Sequence, residues 1–140
     1  MTPDEYKALA AKPARSKYGA KPCYRCLSCG ADPGQKVRRC PYCQAEFIER
    51  FASLAEGRYY DRLRLRQHAG EITDLKCHPV WTLHARNGGA VCKVEMDFSF
   101  VVPGQGMQVV DVKGRDTDKS KLKRLFFEEE YKIPVQIVRA

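Results

Sequence analysis

From residue 46 the chain sets apolar side chains at helical spacing. In EFIERFASLAEGRYYDRLRLRQHA, Ile48, Phe51, Ala55, Tyr59 and Leu63 fall along one face. That pattern predicts a single helix over 46–69, stopped at Gly70. The period then changes from helical to alternating. Residues 80–85 predict a strand with Pro79 at its start, ARNGG a turn, and AVCKVEMDFSFVV the strongest strand of the chain. Val94, Met96, Phe98, Phe100 and Val102 would line one face of it, and Glu95, Asp97, Ser99 and Val101 the other. PGQG turns the chain back, and MQVVDVKG returns as an antiparallel partner. DKSKLKRLFFEEEYK predicts a second helix with Leu122, Leu125, Phe126 and Tyr131 inward, and PVQIVRA a short closing strand.

The order helix, three strands, helix, strand fits an α/β domain. The three strands form a meander, and the second helix carries the last strand across to lie parallel to the third. Residues 1–22 lack this patterning and predict a basic arm with one short helix near Glu5. The expected organisation is an arm (1–22), a cysteine module (23–45) and a core (46–140), without internal repeats. No apolar run is long enough to span a membrane, and the N-terminus has no signal-peptide core. A cytoplasmic protein is expected.

Charge changes the picture. The 140 residues carry a formal net charge of +8. Ten Lys/Arg against five Asp/Glu fall in residues 1–50, and fifteen against twelve in the rest. A small basic chain points to a polyanionic partner, most commonly nucleic acid.

Seven cysteines in an expected cytoplasmic chain argue for metal rather than disulfides. Cys26-x-x-Cys29 and Cys40-x-x-Cys43 are separated by ten residues. Each turn can point two thiolates at one ion, and the two together close a tetrahedral Zn²⁺ site, with an iron–sulfur cluster or free thiols as the alternatives. CLSCG and CPYCQ resemble the knuckles of a zinc ribbon. Cys23 with Cys26 offers a competing first pair, but Cys29-Gly30 makes the better knuckle. A closed four-cysteine set is structural rather than catalytic. Arg25, Lys36, Arg38 and Arg39 around it either grip phosphate or form a solvated basic loop. Cys77 and Cys92 are isolated and fit core positions.

The stretch VVDVKG places Asp111 and Lys113 on one face of a strand, with Val110 and Val112 on the other. Asp97 lies on the preceding strand, and residue 104 in the PGQG turn is midway between 97 and 111. The hairpin can therefore bring the two aspartates near each other. Like charges so placed repel unless a cation lies between them. A hard divalent ion such as Mg²⁺ suits carboxylate oxygens, and a lysine beside it can orient water or stabilise charge on a phosphate. An ordinary reading of Asp-x-Lys is a solvated face or an ion pair.

EMDF, VVDVKG and the helix that follows resemble the PD-(D/E)XK nuclease superfamily, an αβββαβ, restriction-endonuclease-like fold. The chain is closer still to small phage-encoded endonucleases of that superfamily, similar to Holliday-junction resolvases. The matching residues are Lys17-Tyr18, Phe51-Ala-Ser53-Leu-Ala-Glu56, Gly70-Glu71-Ile72, Asp97-Phe98, Asp111-Val-Lys113-Gly114 and Thr117. Met96 stands where the motif has proline, and Asp111 where it often has glutamate. The ribbon looks like an insertion between Lys17-Tyr18 and the first helix.

The resemblance implies a metal-dependent endodeoxyribonuclease that acts on branched DNA as a homodimer, in the host cytoplasm if phage-encoded. It implies that Glu56, Asp97 and Asp111 hold Mg²⁺ or Mn²⁺ and that Lys113 handles water or phosphate. Glu49 rivals Glu56. Lys119, Lys121 and Lys123, with Arg124, line the helix after the motif and either contact the DNA backbone or form a solvated face. His78 and His84 fit solvent or the sheet edge. Two alternatives remain: a non-catalytic zinc-ribbon nucleic-acid binder on a degenerate nuclease fold, and a restriction-like duplex nuclease.

Overall fold

The computed structural model describes residues 20–139. The helix expected near Glu5 and the Lys17-Tyr18 pair lie outside them. The elements are β1 (Cys23–Cys26), β2 (Ile48–Phe51), α1 (Leu54–His68), β3 (Thr73–Cys77), β4 (Val80–His84), β5 (Ala90–Glu95), β6 (Phe98–Val102), β7 (Gly106–Lys113), α2 (Asp118–Tyr131) and β8 (Val135–Arg139). The central sheet runs β3–β6–β7–β8. Its pairs are antiparallel except β7–β8, which is parallel. It is therefore the mixed sheet of an α/β protein, and α2 carries β8 back beside β7 as the patterning predicts. No helix among the described residues is long and apolar enough to cross a membrane.

The expected helix over 46–69 is two elements. Residues 48–51 form β2, paired with β1 so that Cys23 lies opposite Phe51. The helix begins only at Leu54, where Ser53 caps it. The Ser53 backbone is extended, and its Oγ accepts the Glu56 N–H at 3.2 Å. Such a cap is worth about 1 kcal/mol. Phe51 is buried through strand pairing, not through a helical face.

The strand expected over 90–102 is half of a long ribbon that bends. β4–β5 pairs Val80 with Glu95, and β3–β6 pairs Cys77 with Phe98. Both segments keep one register, so His78 falls opposite Asp97 and Pro79 opposite Met96. The His78 N–H donates to the Asp97 carbonyl at 2.9 Å, and the Met96 N–H to the Pro79 carbonyl at 3.0 Å. Pro79 has no N–H to give, and His78 adopts φ 50°, a left-handed conformation unusual for a non-glycine residue. The ribbon bends there, and the bend redirects the core. Phe98 and Phe100 pack with Tyr60 and Leu63 of α1, whereas Val94 and Met96 pack with Phe127 of α2.

β3 was not anticipated. Its TDLKC is charged and mostly exposed, with a register shift between Thr73 and Lys76. Charge and irregularity are how an edge strand avoids pairing with other chains. The first strand of the central sheet is therefore β3, and the expected strand over 80–85 (β4) belongs to the far half of the ribbon. α2 also turns differently from the reading. Phe127 is its buried anchor, and Tyr131 packs beside it. Leu122, Leu125 and Phe126 are 56%, 63% and 59% exposed, a correction to their expected inward placement.

Candidate functional site

The β6–β7 hairpin has the register that the turn midpoint predicts. Phe98 lies opposite Val110 and Val102 opposite Gly106, so Asp97 falls opposite Asp111. β6 begins only at Phe98, which leaves the Val112 N–H without a strand partner there. The Asp97 side chain takes it, with Oδ2 accepting at 2.6 Å. Asp111 is buried, and its Oδ2 pairs with Lys113 Nζ at 3.0 Å.

Glu56 reaches the same place from the first turn of α1. It is buried, and its Oε2 accepts the Ala52 N–H at 3.3 Å. One donor atom each of Glu56, His78 and Asp97 lies within 4.8 Å of the others. His78 is the member that sequence reasoning left on the sheet edge. Its Nε2 is 3.7 Å from Glu56 Oε2, and its Nδ1 is 2.6 Å from Glu49 Oε1. Glu49 and Glu56 thus both converge on His78, the first from β2 and the second from α1. Asp111 stands beside Asp97 but outside this three-donor group.

The electrostatics reflect crowding of acids. Burial, with the neighbouring Asp111 and Glu56, pushes the Asp97 carboxyl up to about 8. Hydrogen bonding to Glu56, joined by Glu49 and opposed by burial, raises the His78 imidazole to about 9. Both shifts favour the protonated forms of Asp97 and His78.

Two grooves meet at Lys113. One is lined by Ser53, Glu56, Val112 and Lys113. The other holds Asp111, Lys113, Lys93, Lys123 and Arg124. Arg124 is committed to Asp116 at 2.7 Å and Lys113 to Asp111 at 3.0 Å, so Lys93 and Lys123 supply the rest of the groove's cationic character. Lys119 and Lys121 are exposed on α2 and do not line this groove.

The second centre is the cysteine module. Cys26, Cys29, Cys40 and Cys43 place their sulfurs within 4.8 Å of one another, and the four could hold a zinc ion. The two knuckles repeat each other. Gly30 N–H donates to the Cys26 carbonyl at 2.7 Å and Gln44 N–H to the Cys40 carbonyl at 2.9 Å, each from a left-handed residue. Cys23 is no part of this group. It is buried in the main core against Gly57, where an added Cβ would stand 2.4 Å from its sulfur.

Arg25 is not available to phosphate as expected. It is buried and bonded to Asp61 of α1 at 2.9 and 3.1 Å, with Asp32 at 3.3 Å. Arg64 donates to the Leu27 and Ser28 carbonyls at 2.9 and 2.8 Å. Both arginines dock the module onto α1. Lys36, Arg38 and Arg39 remain exposed, and Arg39 pairs with Glu46.

A family model described as "Protein of unknown function (DUF1064)" matches residues 45–139, which begin just after the last cysteine of the module and include Glu49, Glu56, His78, Asp97, Asp111 and Lys113. No curated protein and no solved structure matches the chain significantly.

Proposed function

The chain belongs to the DUF1064 family, and we propose that it is a metal-dependent endodeoxyribonuclease acting on branched DNA. The observation that carries this reading is the convergence of Glu56, Asp97, Asp111 and Lys113 from α1, the ribbon bend and β7. Carboxylates crowded together out of water, with the Asp97 carboxyl pushed up by burial and its acidic neighbours, form an oxygen-rich site suited to a divalent cation. Glu56 and Asp97 would hold Mg²⁺ or Mn²⁺, with Asp111 beside them. Bound there, the ion supplies charge stabilisation at the phosphodiester and eases deprotonation of water. Lys113, on the shared rim of the two grooves, steadies the phosphate. Lys93 and Lys123 take neighbouring phosphates of the strand.

In this reading the cysteine centre holds a structural Zn²⁺. Its docking through Arg25 and Arg64 braces the helix that presents Glu56. Lys36, Arg38 and Arg39 extend the cationic surface. The enzyme acts as a homodimer through the exposed face of α2. Two antiparallel copies of that helix would bury Leu122, Leu125 and Phe126 and set Lys119 of one copy near Glu129 of the other. Light scattering should then give twice 16.0 kDa, and Leu125→Glu should give a single chain. A monomeric wild type would remove the dimer from the proposal.

The function is tested by cleavage of labelled four-way junctions, forks, duplex and single strands with Mg²⁺, Mn²⁺ or EDTA. Metal-dependent cutting of branched DNA is expected, reduced by at least about 10³-fold in Asp111→Ala. Equal cutting of plain duplex would replace branch selectivity with a general or restriction-like activity. Binding without cutting, alike in wild type and mutant, would overturn the enzyme and leave a nucleic-acid binder.

A further inference from the structure

We infer that His78 is a metal ligand, completing with Glu56 and Asp97 a site that selects a divalent transition-metal ion such as Mn²⁺ over Mg²⁺. The inference rests on the proposed function for a metal at Glu56 and Asp97, but not on any reaction with DNA.

Three features of the fold point to it. His78 and Asp97 are register partners at the ribbon bend, tied by a main-chain hydrogen bond of 2.9 Å. Their side chains leave adjacent backbones at the bend of the ribbon. Each donor is also held by a bond to a group outside the three. Val112 N–H holds Asp97, Ala52 N–H holds Glu56, and Glu49 holds His78 through Nδ1 at 2.6 Å. Finally, the Glu49–His78 bond occupies Nδ1 and leaves Nε2 toward Glu56, 3.7 Å away. A carboxylate behind one ring nitrogen, with the other facing further donors, is how histidine ligands are oriented in metal sites.

The mixed donor set decides the ion. Mg²⁺ favours oxygen ligands and keeps much of its water. Imidazole nitrogen beside two carboxylates suits first-row transition metals. The left-handed backbone of His78 is consistent with a residue held for its side chain, since glycine or asparagine would meet that turn at lower cost. The competing interpretation makes His78 only a charged staple between Glu49 and Glu56. It predicts no nitrogen on a bound ion.

The test uses the full chain, loaded with zinc so that the cysteine centre is filled. Electron spin-echo spectroscopy of added Mn²⁺ should show ¹⁴N modulation from one imidazole. Titration calorimetry should show Mn²⁺ binding at least about tenfold tighter than Mg²⁺. His78→Gln should abolish the modulation and bring the two affinities close together. Glu49→Gln keeps the imidazole and should weaken Mn²⁺ about 10–100-fold, which serves if His78→Gln does not fold. Bound Mn²⁺ without ¹⁴N modulation in the wild type, or an unchanged Mn²⁺ preference in His78→Gln, overturns the inference. A normal nitrogen signal with no cleavage of any DNA upholds the ligand and refutes the nuclease. Failure of both ions to bind refutes both.

Discussion

The two candidate centres are assembled in opposite ways. The four cysteines come from two knuckles within residues 26–43, each closed by its own backbone hydrogen bonds. The acidic centre takes Glu49 from β2, Glu56 from α1, His78 and Asp97 from a ribbon bend, and Asp111 with Lys113 from β7. The first can form wherever its short segment finds a metal. The second exists only after the sheet, the helix and the bend have all formed. A local centre places its folding energy in the ion. A distributed centre places charge repulsion in a fold whose stability comes from elsewhere.

That contrast breaks most visibly at the cysteine centre. Cys40→Ser removes one of the four sulfurs and should abolish bound zinc in elemental analysis. It should also destabilise the chain by more than about 4 kcal/mol, because the module has little apolar core of its own. Retained zinc with an unchanged denaturation midpoint would show that the centre is not a self-contained metal site.

Docking of the module should be separable from its metal. Asp61→Ala leaves Arg25 buried with only Asp32 as an acidic partner. Asp61 itself is about half exposed, so the expected cost is limited to about 1–2 kcal/mol. Zinc content should stay at one ion per chain. Loss of zinc in this variant would mean that the knuckles depend on α1 after all.

The same contrast explains what could be read in the sequence. The cysteine pairs were legible because ligand spacing is itself the signal. The hairpin that sets Asp97 opposite Asp111 was legible because two strands flank one short turn. The start of α1 was misplaced although Ser53-x-x-Glu56 carries a capping signature. Ile48 and Phe51 happen to continue the helical period of Ala55, Tyr59 and Leu63, and that period masked a strand. β3 was missed because its apolar alternation is weak, with Asp74 and Lys76 exposed on an edge. His78 was missed with it. Its place opposite Asp97 follows only once β3–β6 and β4–β5 are seen as one ribbon, and Pro79 was read simply as a strand start. On α2, Leu122, Leu125 and Phe126 were assigned inward by apolar character alone, while the bend brings the distal ribbon onto Phe127 instead.

The smallest effect tests the repulsion that the distributed centre stores. In buffer free of Mg²⁺ and Mn²⁺, the Asp97 carboxyl lies at about 8 in the fold against an ordinary value of 3.8. Between those values the folded chain holds a proton that the unfolded chain has lost. Stability from this group is therefore complete below the unfolded value and is lost as pH rises toward about 8. Asn in its place still accepts the Val112 N–H but carries no charge. Asp97→Asn should thus change Tm little at pH 5 and raise it at pH 8, by roughly 3–6 °C per kcal/mol relieved. Saturating Mn²⁺ should reverse the order, because only the wild type gains a ligand that binds the folded state. An equal gain at both pH values would place the benefit in packing rather than charge. A loss at pH 8 would mean that the three acids do not repel one another in the empty site.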